Sequence, residues 1–419
     1  MTQQSKPTDP SAPTRSAVTP AGPAIAPVSG VGAGLGVTAA RGFRASGIAA
    51  GIKDSGLADL ALVVNDGPLR AAAAVFTTNR VKAAPVLWSE QVAKGGELDA
   101  VILNSGGANA CTGPAGFQDT HTTAERVAEV LGTSAARVAV CSTGLIGVRL
   151  PMDRVLEGVF ASVGSLAAGP EAGAAAAEAI RTTDTHAKTA VVERSGYLIG
   201  GMAKGAGMLA PGLATMLCVL TTDAAVGTAE LDAALRTATA RTFDRIDSDG
   251  CMSTNDTVIA MASGVSGVEP ETAEFAAALE ELCADLARQL IADAEGASKE
   301  VEIEIVGAAS EADGLEVARS IARNNLLKCA FYGEDPNWGR VLAAVGTTRA
   351  KFEPDRLSVA INGVWVCRNG GVGEDRELCD LSDRHIHLVV DLDAGPETVT
   401  VWTNDLTKDY VHENSAYSS

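Results

Sequence analysis

Residues 200–224 read GGMAKGAGMLAPGLATMLCVLTTDA. Glycines at 200, 201, 205 and 207 surround Lys204, Pro211-Gly212 makes a turn, and an apolar run begins at Ala214-Thr215. A short apolar run behind turn residues is the pattern of a core strand, so the segment predicts a glycine-rich loop feeding a buried strand. A glycine loop beside a lysine resembles a phosphate cradle, but neither GxxxxGK[ST] nor GxGxxG occurs in it, and nucleotide binding gains no support. A plain loop leaves one feature without a reason, the small residue followed by Thr at the strand entry. If the bond before Thr215 were cut, that residue would carry a hydroxyl nucleophile and a free α-amine together. An α-amine titrates near about 8, so it can act as general base for its own hydroxyl.

Outward from this stretch the chain alternates between two periods. Residues 60–64, 73–76, 101–103 and 138–141 are short apolar runs beside turn residues and read as strands. Residues 119–131 carry helical spacing between two of them. Residues 271–293 place Phe275, Leu279, Leu282, Leu286 and Leu290 on one stripe, an amphipathic helix. Its start has Pro270 ahead of Glu271 and Glu274, acids that suit the positive end of a helix dipole. Further on, 301–305 alternates as a strand, 308–324 reads as a helix, and the remainder is strand-like at 359–361, 386–390 and 398–402. No internal repeat is evident. These elements predict a layered α/β or α+β protein, and the residues alone leave that split open.

The 419 residues carry 52 acidic against 33 basic side chains, a formal charge of −19. Such a surface argues against nucleic acid and against an anionic membrane, both of which need clustered Lys and Arg. Gly, Pro or charged residues interrupt every apolar run before it could span a bilayer. Residues 1–36 are rich in Pro, Ala, Thr and Ser and lack a compact apolar segment, so they read as a disordered tail and a poor secretory signal. The eight cysteines lie far apart with no CxxC pair, which predicts scattered buried thiols in a reducing cytoplasm.

Three further segments bear on chemistry. Residues 141–147, CSTGLIG, end a predicted strand, where Thr143-Gly144 could turn N–H groups outward as an oxyanion hole does, or simply make a turn. Residues 245–257, RIDSDGCMSTNDT, resemble part of a calcium loop but place Arg245 first and Asp256 twelfth, so the run reads as a shaped loop without a metal. His385 and His387 share one face of a strand without a third ligand, which favours a solvated or satisfied pair over a metal site. No GxSxG elbow supports a Ser-His-Asp hydrolase.

Taken together, these segments closely resemble the ornithine acetyltransferase family, also called glutamate N-acetyltransferase, self-processing enzymes of arginine biosynthesis. The resemblance runs from about Gly36 to Ser419. It rests on NSGGANACTG from Asn104, STGLIG from Ser142, TTDTHAK from Thr182, KGAGMLAP and ATML from Lys204, and STNDT from Ser253. It continues through EGASK from Glu295, YGEDPNWGR from Tyr332 and the closing VHENSAYSS. Two departures stand out: Gly107 where many relatives have Asn, and Ser419 where a Thr often ends the chain.

The resemblance implies a layered α/β sandwich, self-cleaved between Ala214 and Thr215 into an α chain, 1–214, and a β chain, 215–419. It implies that Thr215 is the nucleophile, that it takes the acetyl group of N2-acetyl-L-ornithine, and that L-glutamate then receives it in a ping-pong cycle. Thr143 and Gly144 match the family's oxyanion pair. Substrate contacts carry over to Thr182, Lys204, Thr215, Glu295, Asn414 and Ser419. Lys204 could meet a carboxylate and Glu295 an amine, as amino-acid substrates require. The resemblance further implies a cytoplasmic enzyme without cofactor or metal, two α and two β chains in a heterotetramer, and no nucleic-acid or membrane partner. Some relatives also accept acetyl-CoA as donor, and this sequence fits either kind. Two other readings compete: a hydrolase of similar fold, with water in place of glutamate, and an uncut amino-acid-binding or assembly protein.

Overall fold

The computed structural model describes residues 35–210 and 216–416. Nearly all of the expected tail, the Ala214-Thr215 pair and Ser419 lie outside the described residues. At its end the tail expectation is corrected: Gly36–Thr38 forms a buried 3-10 turn.

The first half runs β1 (Phe43–Ile48), β2 (Leu60–Asn65), β3 (Ala72–Phe76), α1 (Ala84–Ala93), β4 (Ala100–Ser105), α2 (Gly113–Leu131) and β5 (Val138–Thr143). It continues with α3 (Met152–Gly164), α4 (Pro170–Ala179), β6 (Lys188–Arg194), β7 (Tyr197–Lys204), β8 (Leu217–Thr222), α5 (Thr228–Arg241), β9 (Thr257–Ala262) and α6 (Thr272–Ala292). The last third is β10 (Glu300–Ala308), α7 (Glu311–Ala322), α8 (Asn325–Tyr332), α9 (Trp338–Val345), β11 (Ser358–Ile361) and β12 (Val364–Arg368). It closes with β13 (Gly371–Val372), β14 (His385–Asp391), β15 (Glu397–Asn404) and α10 (Lys408–Ala416).

Among the described residues three sheets form, in the orders β1-β2-β4-β5, β3-β9-β8-β7-β6 and β13-β12-β11-β14-β10-β15. The pairs β4–β5, β8–β9 and β10–β14 are parallel. The first two sheets pack face to face. Val101, Leu103, Ala139 and Cys141 of the first meet Met202, Leu217, Val219 and Ile259 of the second in one buried cluster. Alternate residues of the same strands face outward: Ile102 and Val140 pack on Val127 of α2 and Val155 of α3. Likewise Ala203 and Leu220 pack under Leu235 of α5 and Leu286 of α6. The order of layers is helix, sheet, sheet, helix. Strands buried on both faces have no polar side to show, which is why they read as unbroken apolar runs. The third sheet buries one face against α7, α8 and α9.

The layered α/β expectation holds, with corrections in detail. Gly200, Gly201 and Lys204 belong to strand β7, not to a loop. Gly200 allows a close approach there, since a Cβ would lie 2.0 Å from the carbonyl of Gly36. The helix expected over 308–324 begins only at Glu311, because Ala308 still closes β10 and Ser310 caps the helix by accepting from the N–H of Asp313. Helix α2 starts at Gly113, ahead of the expected 119. Three of the cysteines expected to be buried, Cys111, Cys251 and Cys329, are exposed. His385 and His387 each face a glutamate of β10, Glu302 at 3.4 Å and Glu304 at 3.0 Å, so the paired reading is met. Among the described residues no helix is long and apolar enough to cross a membrane.

Candidate active site at the end of the inner sheets

Strand alternation decides which side chains reach the space between the two inner sheets. On β5, Ala139 and Cys141 point there, so Thr143 does too. On β7, Met202 points there, and Lys204, two residues on, follows it. The two strand ends bring Lys204 Nζ to 3.3 Å from Thr143 Oγ1, to which it donates. Both are buried, at 2% and 5% exposure. Burial lowers the Lys204 ammonium below the usual lysine range, and Asp184 works against that. Gly144 follows with φ +130°, and a Cβ there would sit 2.6 Å from the backbone nitrogen of Gly107. Only glycine permits that approach. The same close pass lets Gly107 N donate to Thr143 O at 3.0 Å, which zips the loop at 106–110 onto the strand end. At Gly107 itself the terminal Cδ2 of Leu150 lies 2.8 Å from where a Cβ would be, so a side chain at 107 has only a flexible methyl to displace.

Beside this pair lies a fully enclosed ion cluster. Lys188 Nζ donates to Asp184 Oδ1 at 2.7 Å and to Asp293 Oδ2 at 2.6 Å, and none of the three side chains exceeds 4% exposure. Burial would raise the Asp184 carboxyl, but Lys204 and Lys188 outweigh it and hold it well below the usual carboxylate range. Asp184 also accepts from Gly205 N at 2.6 Å and from Thr182 N at 3.0 Å. One carboxylate therefore fixes both the end of β7 and the residue expected to touch substrate.

A cleft of about 230 Å³ opens next to it, lined by Thr182, Thr183, Asp293, Glu295, Glu413 and Asn414. Asn414, on α10, donates to Glu295 Oε2 at 3.0 Å, and Glu295 N donates to Ala206 O at 3.0 Å. Gly207 has no side chain because the Glu295 carboxylate occupies that space, 2.6 Å from where a Cβ would be. The cleft is acidic: burial, then Glu295 and Asp409, push the Glu413 carboxyl up.

The structure thus gathers Thr143, Gly144 and Lys204 at one point and Thr182, Glu295 and Asn414 in the adjoining cleft. Ala214, Thr215 and Ser419 are outside the described residues, although Met216, directly after Thr215, is buried at the entry of β8. Sequence reasoning assigned no role to Asp184, Lys188, Asp293, Asn255 or Asp256. The one signal was polar residues in segments that lead into apolar strands, TTDTHAK before β6 and STNDT before β9. Asp256 is fully buried and accepts from Met216 N at 3.1 Å, and burial pushes its carboxyl well above the usual range.

A buried ammonium on a strand-end Thr-Gly, with an acidic cleft beside it, suits acyl transfer to and from amines, and the class is that of an acyl-transfer enzyme. The chain belongs to the ArgJ family, whose model matches residues 44–419. It is 69% identical over 385 residues to the arginine biosynthesis bifunctional protein ArgJ of Streptomyces coelicolor, covering 92% of this chain and 100% of that one. The protein of the same name from Mycobacterium leprae is 60% identical, covering 92% of this chain and 96% of its own. The crystal structure of ornithine acetyltransferase complexed with ornithine from Mycobacterium tuberculosis is 59% identical, covers 44% of this chain and 97% of that chain, and superposes with a TM-score of 0.42.

Proposed function

We propose that this enzyme moves the acetyl group of N2-acetyl-L-ornithine to L-glutamate through an acetyl ester on Thr215. The precursor first cuts itself. The Thr215 hydroxyl attacks the carbonyl of Ala214, the peptide becomes an ester, and water releases an α chain, 1–214, from a β chain, 215–419. The new α-amine of Thr215 then takes the proton of its own hydroxyl as that oxygen attacks the acetyl carbonyl. Thr143 and Gly144 stabilise the tetrahedral oxyanion, L-ornithine leaves with the proton on its amine, and the amine of L-glutamate attacks the ester in the second half. The observation that carries this reading is the contact of Lys204 with Thr143 at the end of the inner sheets, next to the cleft of Thr182, Glu295 and Asn414.

Beside that cleft Lys204 meets a substrate carboxylate, and within it Glu295 with its acidic neighbours favours the ammonium of ornithine. Ser419 completes the contacts at the C-terminus. We further read the enzyme as cytoplasmic, free of cofactor and metal, and assembled from two α and two β chains. Acetyl-CoA serves as an alternative acetyl donor to glutamate.

The test is intact mass under denaturing conditions after incubation with N2-acetylornithine. Two chains are expected, the one beginning at Thr215 gaining one acetyl group that glutamate, and not water, discharges. Discharge by water at the same rate makes the protein a hydrolase, and one uncut, unacetylated chain overturns the reading. Thr143→Ala is expected to lower kcat by about 10²–10³-fold with little change in KM for N2-acetylornithine. An unchanged kcat removes Thr143 from the oxyanion hole.

A further inference from the structure

Asn255 and Asp256 sit side by side just before β9, and their side chains reach in two directions. Both are buried, at 5% and 0% exposure. Asn255 Nδ2 donates to Ser142 O at 2.8 Å and to Ala108 O at 2.6 Å. Ser142 is the residue before Thr143, and Ala108 N donates in turn to Leu145 O at 2.9 Å, so one amide grips both edges of the loop that carries Thr143-Gly144. Its Oδ1 is occupied as well, by the hydroxyl of Thr254 at 2.6 Å. The next residue grips the other partner. Asp256 Oδ1 accepts from Met216 N at 3.1 Å, and Thr257 N donates back to Met216 O at 3.1 Å.

We propose that Asn255 and Asp256 are positioning residues that set the separation between the Thr143-Gly144 strand end and the chain leaving Thr215. The proposal rests on the reading above, in which Thr215 attacks and Thr143-Gly144 stabilises. An acyl transfer needs its nucleophile and its oxyanion donors held to a fraction of an ångström. Thr143 ends β5 in one sheet and Met216 leads into β8 in the other, and the proposed cut before Thr215 places Thr143 and Thr215 in different chains. No covalent bond then carries the spacing from one to the other. Two adjacent residues of the β chain do so, one bonded to each side, with one peptide unit between their anchors. Burial keeps both bonds free of competition from water.

The experiment uses the full-length protein and the variants Asn255→Ala, Asp256→Ala and Asp256→Asn. The readouts are the cut fraction, kcat and KM for N2-acetylornithine, and thermal unfolding. Asn255→Ala and Asp256→Ala are expected to lose kcat by about 10–100-fold while KM stays within about twofold, the effect of a misplaced donor or nucleophile. Asp256→Asn keeps an oxygen for the N–H of Met216 and is expected to retain kcat within about threefold. A wild-type kcat in Asn255→Ala, or a loss that appears only in KM, overturns the role of Asn255. Asp256→Asn as inactive as Asp256→Ala overturns that of Asp256 and assigns its carboxyl to proton transfer instead. Should Asn255→Ala not fold, Asn255→Asp, which keeps the shape and the oxygen for Thr254 but removes both donors, replaces it, and wild-type kcat there overturns the role equally. A wild type that neither cuts itself nor takes up acetyl defeats the functional reading itself, a result separable from any of these.

Discussion

Thr215→Ala is expected to leave one uncut chain of 42.6 kDa with acetyl transfer lowered by about 10⁴-fold or more. The alanine removes the hydroxyl proposed to attack, so both the cut and the acetyl ester are lost together. Its neighbour Met216 stays anchored by Asp256, so the fold should not suffer. Thr215→Ser keeps a hydroxyl and is expected to cut itself, with slower turnover because the serine lacks the methyl that restricts its rotamer. Denaturing mass and a single-turnover acetylation assay measure both effects. Normal cutting in Thr215→Ala would falsify the nucleophile assignment.

Lys188→Met is expected to destabilise the protein by about 3–5 kcal/mol, the cost of leaving buried charge without its partner. Asp184 and Asp293 both face the Lys188 ammonium at 2.6–2.7 Å with almost no solvent access. Asp184 would retain the N–H groups of Thr182 and Gly205, and Lys204 nearby, so the site distorts before it disappears. The pH dependence has a definite sign. A carboxyl held below its unfolded value stabilises the fold fully above about 3.9, and that contribution is lost as the pH falls below it. Without Lys188 the Asp184 carboxyl rises, so its contribution shrinks and the variant's stability falls less than that of the wild type as the pH drops below about 3.9. Denaturant midpoints at neutral and mildly acidic pH measure this. Equal midpoints at neutral pH would show that the cluster contributes nothing net.

How far the site could be read in advance differs from residue to residue. Thr143-Gly144 was legible because a strand end followed by Thr-Gly is a local feature. Lys204 stood out in the sequence, but its surroundings were misread: the glycines around it suggested a loop, whereas the chain is extended there and Gly200 admits neighbouring backbone. The stripe from Phe275 to Leu290 fixed the site-flanking helix α6 from periodicity alone. Helix α10, which brings Asn414 to Glu295, has no apolar face and left no such periodicity.

By itself the sequence determined where β2, β3, β4, β5 and β8 of the two inner sheets lie, the α6 stripe, the acidic surface, and, through its ordered motifs, the family. Each of these follows from composition or from spacing between near neighbours. Only the tertiary structure decided that Lys204 is buried against Thr143, that Lys188 joins Asp184 to Asp293, and that Asn255 holds Ser142. Those partners are separated by 61, 105 and 113 residues. The physical reason is that side-chain alternation tells which residues share a face, but not which other face will cover it. That pairing is settled when the two inner sheets close on each other and every buried polar group must find a partner.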